Sequence, residues 1–200
     1  MEFTPEDYCE LLGLYLGDGC LSEHARAVRL RITLDLKYPL IIRETKALIQ
    51  RCLPADRVDI DRKGTTGNCV NVSSYSLHWP CALPQHGRGK KHERRIALEP
   101  WQSRLLEQAP WAFLRGCIRS DGSCFINRTD VHRSQPYEYL NYDFSNMSTD
   151  IVELFVEACT VVDVYTRLHV TRGAPGMSGS IGRPALLFSS STWVSRSEPR

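Results

Sequence analysis

The chain reads as an α+β protein made of two related halves, each αββαββ. Two observations predict this. Residues 11–19 and 114–122 align without a gap, with Leu first, Gly third, a small residue seventh (Gly17 or Ser120) and then Asp-Gly. After each copy, period-two strand patterns and an amphipathic helix follow in the same order. The two aspartates, Asp18 and Asp121, stand about half the chain apart. Each half supplies one antiparallel saddle, and the two saddles are related by a pseudo-two-fold. The halves are placed at residues 1–108 and 109–200.

The first helix is predicted from about Pro5 to Asp18. Thr4 is its cap, Pro5 suits the first helical position, Asp7 stands three residues after the cap, and Gly19 is expected as a left-handed stop. Val28, Leu30, Ile32, Leu34 and Leu36 alternate with Arg29, Arg31, Thr33, Asp35 and Lys37, a strand with one apolar and one polar face. Residues 39–52 form an amphipathic helix, and Val58 and Ile60 mark a short strand. A Gly-containing turn at 64–68 precedes a β-rich stretch at 69–78. Residues 84–95 are a basic loop, and a helix over 99–108 leads into the second motif helix from Pro110 to Gly122. The second half repeats this order, with strands at Cys124–Asn127 and 139–145, a helix at 148–162 and a strand at 164–170. A loop at 171–180 and a last strand at 181–190 complete it. The segment after Trp193 has no pattern.

Composition narrows the class. The chain is 42% apolar and 24% charged, as in an ordinary globular protein, and its net charge of +2 implies no partner by itself. Of the 25 basic residues, 20 are Arg, which suits bidentate contact with phosphate or guanine. The eight cysteines include no C-x-x-C pair and read as reduced, mostly buried thiols of a cytoplasmic protein. The N-terminus lacks an apolar signal core, and no apolar run approaches membrane-spanning length. His86 and His92 flank the basic loop without the spacing of a zinc site, and no Walker cradle or acyl-transfer motif is present.

The repeated helix carries the chemistry. Gly13 and Gly17, like Gly116 and Ser120, are four apart, so two such helices can approach backbone to backbone. Asp18 and Asp121 would then emerge side by side at helix C-termini. The helix dipole disfavours a carboxylate there by a few tenths to about 1 kcal/mol, and mutual repulsion adds to this. A local rule broken twice in the same way points to function. A divalent cation would relieve both penalties, and hard oxygen ligands suit Mg²⁺.

Both copies resemble the motif that names the LAGLIDADG homing endonucleases, and the two-copy layout resembles the monomeric branch of that family. The resemblance implies a homing-endonuclease fold whose two saddles straddle double-stranded DNA. It implies hydrolysis of both strands with Mg²⁺ or Mn²⁺, with Asp18 and Asp121 each serving one strand. It also implies that the carbonyls of Gly17 and Ser120 ligate metal. A basic residue near the scissile phosphate is implied as well, for which Lys91 fits best and Lys90 stands close behind. The acidic residue usual two positions before the aspartate is Leu16 in one copy and Arg119 in the other. No Lys follows Lys91, and its interval from Asp18, laid off from Asp121, lands on Val194, so the second half reads as shortened at its C-terminus.

A two-stranded β-ribbon fits the DNA major groove. The polar faces offer Arg29, Arg31, Thr33, Asp35, Lys37, Arg57 and Asp59 in the first half, and Tyr139, Asn141, Asp143, Arg167 and His169 in the second. Lys90 and Arg94 of the basic loop are further candidate DNA contacts. The reading is a monomeric, metal-dependent, site-specific endonuclease acting on a long, imperfectly palindromic DNA site. The alternatives are a non-cleaving transcription regulator or an RNA maturase on the same fold, and an inactive remnant of a mobile element.

Overall fold

The computed structural model describes residues 3–62, 67–129, 137–170 and 177–182. Val194, the segment after Trp193 and most of the strand expected at 181–190 lie outside them. Helix α1 (Pro5–Asp18) starts as its sequence requires. The Thr4 hydroxyl accepts the Asp7 amide at 3.1 Å, while the Asp7 carboxylate receives Arg51 of a neighbouring helix at 2.7 Å. Strands β1 (Gly19–His24) and β2 (Ala27–Asp35), helix α2 (Pro39–Cys52), and strands β3 (Val58–Arg62) and β4 (Cys69–Ser76) follow. Two short helices connect the halves: α3 (Trp79–Ala82) and α4 (Pro100–Gln108). The second half comprises α5 (Pro110–Asp121), β5 (Gly122–Thr129), β6 (Tyr137–Asn146), α6 (Thr149–Val161), β7 (Thr166–Val170) and β8 (Met177–Gly182).

Each half holds one antiparallel sheet of four strands, ordered β1-β2-β4-β3 and β5-β6-β8-β7. The registers match. Gly19, which follows one motif aspartate, pairs with Ile32, and Gly122, which follows the other, pairs with Phe144. Leu30, Ile32 and Leu34 of β2, and Tyr142 and Phe144 of β6, turn into the core beneath the sheets. Their neighbours Arg29, Arg31 and Thr33, and Asn141, Asp143 and Ser145, therefore lie on the opposite, open faces.

Helices α1 and α5 cross through the centre of the molecule with no side chain between them at the crossing. A Cβ on Gly13 would meet the Phe113 carbonyl oxygen and lie 2.8 Å from the Cys117 nitrogen. A Cβ on Gly116 would meet the Glu10 carbonyl oxygen and lie 3.0 Å from the Gly13 Cα. The contact is not symmetric in charge. Glu10, 5% exposed, receives Arg115 at 2.6 Å and Arg119 at 2.5 Å, and Arg119 continues to Glu44 of α2 at 2.6 Å. Aligned on the two motifs, Phe113 occupies the place of Glu10 and Leu16 the place of Arg119.

Three expectations need correction. Gly19 is extended, with φ −87°, not left-handed, and Gly122 is the same at φ −93°. The chain passes straight from helix to strand, and Gly is required because a Cβ would lie 2.5 Å from the Cα of Tyr15 or of Ile118. The last described strand, β8, starts at Met177, inside the expected loop, because Asn146 to Asn141 of β6 recruit it. Finally, α3 lies between the β-rich stretch at 69–78 and the basic loop at 84–95, where no element is expected; there Trp79, fully buried, anchors the exit from the sheet.

Candidate active site and nucleic-acid interface

The crossing places the C-terminal ends of α1 and α5 at one cavity of about 450 Å³. Its walls include Tyr15, Leu16 and Gly17 from α1, Asp121 from α5, Ser145 and Asn146 from β6, and Lys91 from the basic loop. The loop is held in place by a buried polar knot. The Tyr8 hydroxyl donates to the Ala82 carbonyl at 2.8 Å and accepts from Gln102 at 2.6 Å. Gln85 donates to Gln102 at 2.6 Å and to the Ala97 carbonyl at 2.7 Å. Farther on, the Ile96 amide donates to Asp150 of α6 at 2.6 Å.

From that loop Lys91 reaches the end of α1. Its Nζ donates to the carbonyls of Tyr15 at 2.5 Å, Leu16 at 2.9 Å and Gly17 at 2.9 Å, and lies 5.0 Å from the centre of the Tyr15 ring. These carbonyls lie in the last turn of a helix, where the dipole favours a cation, and that of Tyr15 also accepts the Gly19 amide. Burial lowers the lysine pKa from 10.5 to about 8, while the charges of Asp121 and then Asp18 oppose that shift. Lys91 and Asp121 thus line one cavity, and Asp18 follows Gly17 at the adjoining end of α1.

Asn146 lines the same cavity. Its Nδ2 donates to Asp121 Oδ2 at 2.7 Å, and its Oδ1 accepts the Ser148 amide at 2.9 Å. Sequence reasoning missed this residue. Its signal was its place at the end of a strand, just before the Ser148 position of the next helix. The Ser120 hydroxyl is spent on the Cys117 carbonyl at 2.9 Å and the Gly116 carbonyl at 3.1 Å, so its main-chain carbonyl is the group left to act as a ligand. Among the described residues, no group of three or more His, Cys, Asp and Glu side chains converges. The available donor set is two carboxylates and helix-end carbonyls. Oxygen donors of this kind suit a hard cation, and an ion held by the Gly17 carbonyl would share that oxygen with the Lys91 ammonium.

The reading faces differ in how their side chains are held. Arg29 Nη2 donates to Ser73 at 3.1 Å and Asp61 at 3.3 Å, and its guanidinium lies 5.6 Å from the Tyr75 ring centre. Thr33 donates to Asn71 at 2.9 Å. Arg31 stands on β2 opposite Cys20 and Ser73. Asn71, Ser73 and Tyr75 of β4 thus belong to the open face, although their stretch shows no clean alternation. Asp35 and Lys37 serve the turn into α2, where Asp35 accepts the Lys37 amide at 2.9 Å. Arg57 precedes β3 and pairs with Asp59 at 2.7 Å. Arg94 turns inward, donating to the Gln85 carbonyl at 2.5 Å, whereas Lys90 is exposed. Asn141 and Asp143 share β6, and Arg167 is exposed on β7. Tyr139 and His169 lie on β6 and β7, with side chains outside the described ones.

Solved structures share this fold. Mesophilic variants of the homing endonuclease I-DmoI match with a TM-score of 0.58 at 14% identity, over 90% of this chain and 84% of theirs. The fold is that of the LAGLIDADG homing endonucleases. I-DmoI in complex with DNA and Mn matches with a TM-score of 0.54 at 14% identity, over 90% of each chain. The LAGLIDADG meganuclease I-AabMI bound to uncleaved DNA matches at 0.52 and 12% identity, over 88% of this chain and 78% of that one. No family model matches the chain, and no curated protein matches it. Among the described residues, no helix is long and apolar enough to cross a membrane.

Proposed function

We propose that the chain is a site-specific endonuclease that hydrolyses both strands of a DNA duplex with Mg²⁺ or Mn²⁺, acting as a monomer whose two halves each engage half of the target. One observation carries this reading: the C-terminal ends of the two repeated helices meet at a single cavity whose walls include Gly17, Lys91 and Asp121, with Asp18 next to Gly17 in the chain. A turn signal used twice would not bring two helix ends and a lysine to one cavity.

Asp18 and Asp121, with the carbonyls of Gly17 and Ser120, would hold the cation. A divalent ion there supplies a nucleophilic water at neutral pH and charge neutralisation at the phosphate. The residues of the chain do the rest. Lys91 keeps a positive charge at the cavity wall, where it offsets charge building on the phosphate oxygens. Asn146 fixes the Asp121 carboxylate through its amide. The crossing of α1 and α5 sets the spacing between the two carboxylates, and the open sheet faces hold the duplex across them. In the balanced reaction, a water oxygen bonds to phosphorus, the bridging P–O bond breaks, the departing sugar oxygen takes up a proton, and the water proton passes to solvent.

The second reading, a binder that does not cut, is favoured by one asymmetry. Lys91 donates to the carbonyls at the end of α1, whereas at the end of α5 an uncharged amide, Asn146, holds the Asp121 carboxylate. A selection for cleavage from a randomised duplex library in Mg²⁺ tests the choice. Enriched cut sites that disappear in the Asp18→Asn/Asp121→Asn double variant support the nuclease. Sequence-selective capture in chelator without any nick supports the binder.

A further inference from the structure

The matching registers of the two sheets allow their reading faces to be compared position by position. Because Ile32 and Phe144 are equivalent, Arg29 matches Asn141 and Arg31 matches Asp143. Each pair therefore sits at the same distance from its motif aspartate on the open face of its central strand. The chemistry at these positions is inverted. Arg29 and Arg31 are donors only, Asp143 ionised is an acceptor only, and Asn141 offers both.

The orphaned atoms show the same inversion. The Nε donors of Arg29 and Arg31 are buried without a hydrogen-bond partner, and so is the Oδ1 acceptor of Asn141. Buried polar atoms of this kind cost stability unless something satisfies them, and although Trp79 and Arg119 carry others away from the sheets, these three stand on the open faces that a duplex would cover. The surroundings differ in the same sense. Arg29 stands opposite Ser22 and is steadied by Ser73 and Asp61, whereas Asn141 stands opposite Phe125, whose ring is 45% exposed.

In the major groove, guanine presents two acceptors, adenine an amino donor beside an acceptor, and thymine a methyl group. We infer that the two sheets read opposite hydrogen-bonding polarity at matching distances from the centre of the target. Arg29 and Arg31 take guanine edges in one half-site, while Asn141 and Phe125 take an A·T pair in the other, its adenine amino group on Asn141 and its thymine methyl on Phe125. The inference rests on the DNA-binding part of the proposed function but not on cleavage.

Capture of a randomised duplex library by the full chain in chelator, followed by sequencing, tests it without requiring cutting. Wild type is expected to enrich sites with guanine in one half and an A·T pair at the mirrored position of the other, each roughly tenfold or more over the remaining bases. Asn141→Arg should convert that A·T preference to guanine and make the site more palindromic, and Arg29→Asn should erase a guanine in the opposite half. Guanine preferred equally in both halves by wild type would overturn the inference. So would capture whose preferences neither variant moves, or capture with no sequence preference. Asymmetric capture without cutting in Mg²⁺ would leave the inference standing while the nuclease reading fails. Cutting at sites symmetric in guanine would do the reverse.

Discussion

At the scale of single residues, Lys91 is the most informative side chain. It stands on three helix-end carbonyls, and burial holds its pKa at about 8, below its ordinary 10.5. The unfolded chain therefore binds this proton more tightly than the folded chain, and stability linked to Lys91 is present above the unfolded value and lost as pH falls through the folded one. The wild-type advantage over Lys91→Met in urea unfolding should accordingly grow as pH rises from about 8 towards 10.5. Cys9, Cys52 and Cys159, whose thiols burial raises to about 12, titrate in both proteins and cancel in the difference. A flat difference across that window would mean that Lys91 is not held as described. In function, Lys91→Met should cut DNA at least about 100-fold more slowly while still binding it, measured by single-turnover cleavage and by capture in chelator, because it removes stabilisation of the transition state.

At the scale of elements, the α1–α5 crossing joins the halves. It is tightest at Gly13 and Gly116, where backbone faces backbone. Gly116→Val would drive a side chain into the Glu10 carbonyl, and overpacking of this kind costs about 1–3 kcal/mol or more. Chemical denaturation should show that loss, whereas Arg104→Ala, on the exposed side of α4, should behave as wild type. The buried charges give a second test. Glu10→Gln leaves Arg115 and Arg119 without their shared carboxylate, and breaking a buried pair costs about 3–5 kcal/mol. Because Phe113 and Leu16 stand at the matching positions, this pairing also distinguishes α1 from α5. It favours association of the two different halves over self-association of either one.

At the scale of the whole molecule, the duplication was legible because the signals at its core are local. Thr4, Pro5 and Pro110 start the motif helices, and Leu30, Ile32 and Leu34 alternate cleanly through β2. Strand β1 was not legible, since Gly-Cys-Leu-Ser-Glu-His is mostly exposed and only pairing with β2 makes it a strand. Strand β4 was blurred because small polar residues such as Ser73 and Ser74 are buried on both of its faces. Of the proposed site, Asp18 and Asp121 stood out by repetition, whereas the bonds of Lys91 to α1 and of Asn146 to Asp121 are tertiary and leave no local pattern. The basic and polar saddles also predict how the molecule meets DNA: the logarithm of the binding constant should fall linearly with the logarithm of salt concentration, as titration at several ionic strengths would show. The central claim is that two aspartates from two halves form one cleavage centre. Its most direct test is cleavage of a selected duplex in Mg²⁺, resolved strand by strand, by wild type, Asp18→Asn and Asp121→Asn. Wild type should cut both strands, and each single variant should lose cutting of at least one strand while still binding the site. Full cleavage of both strands by both variants would contradict the account.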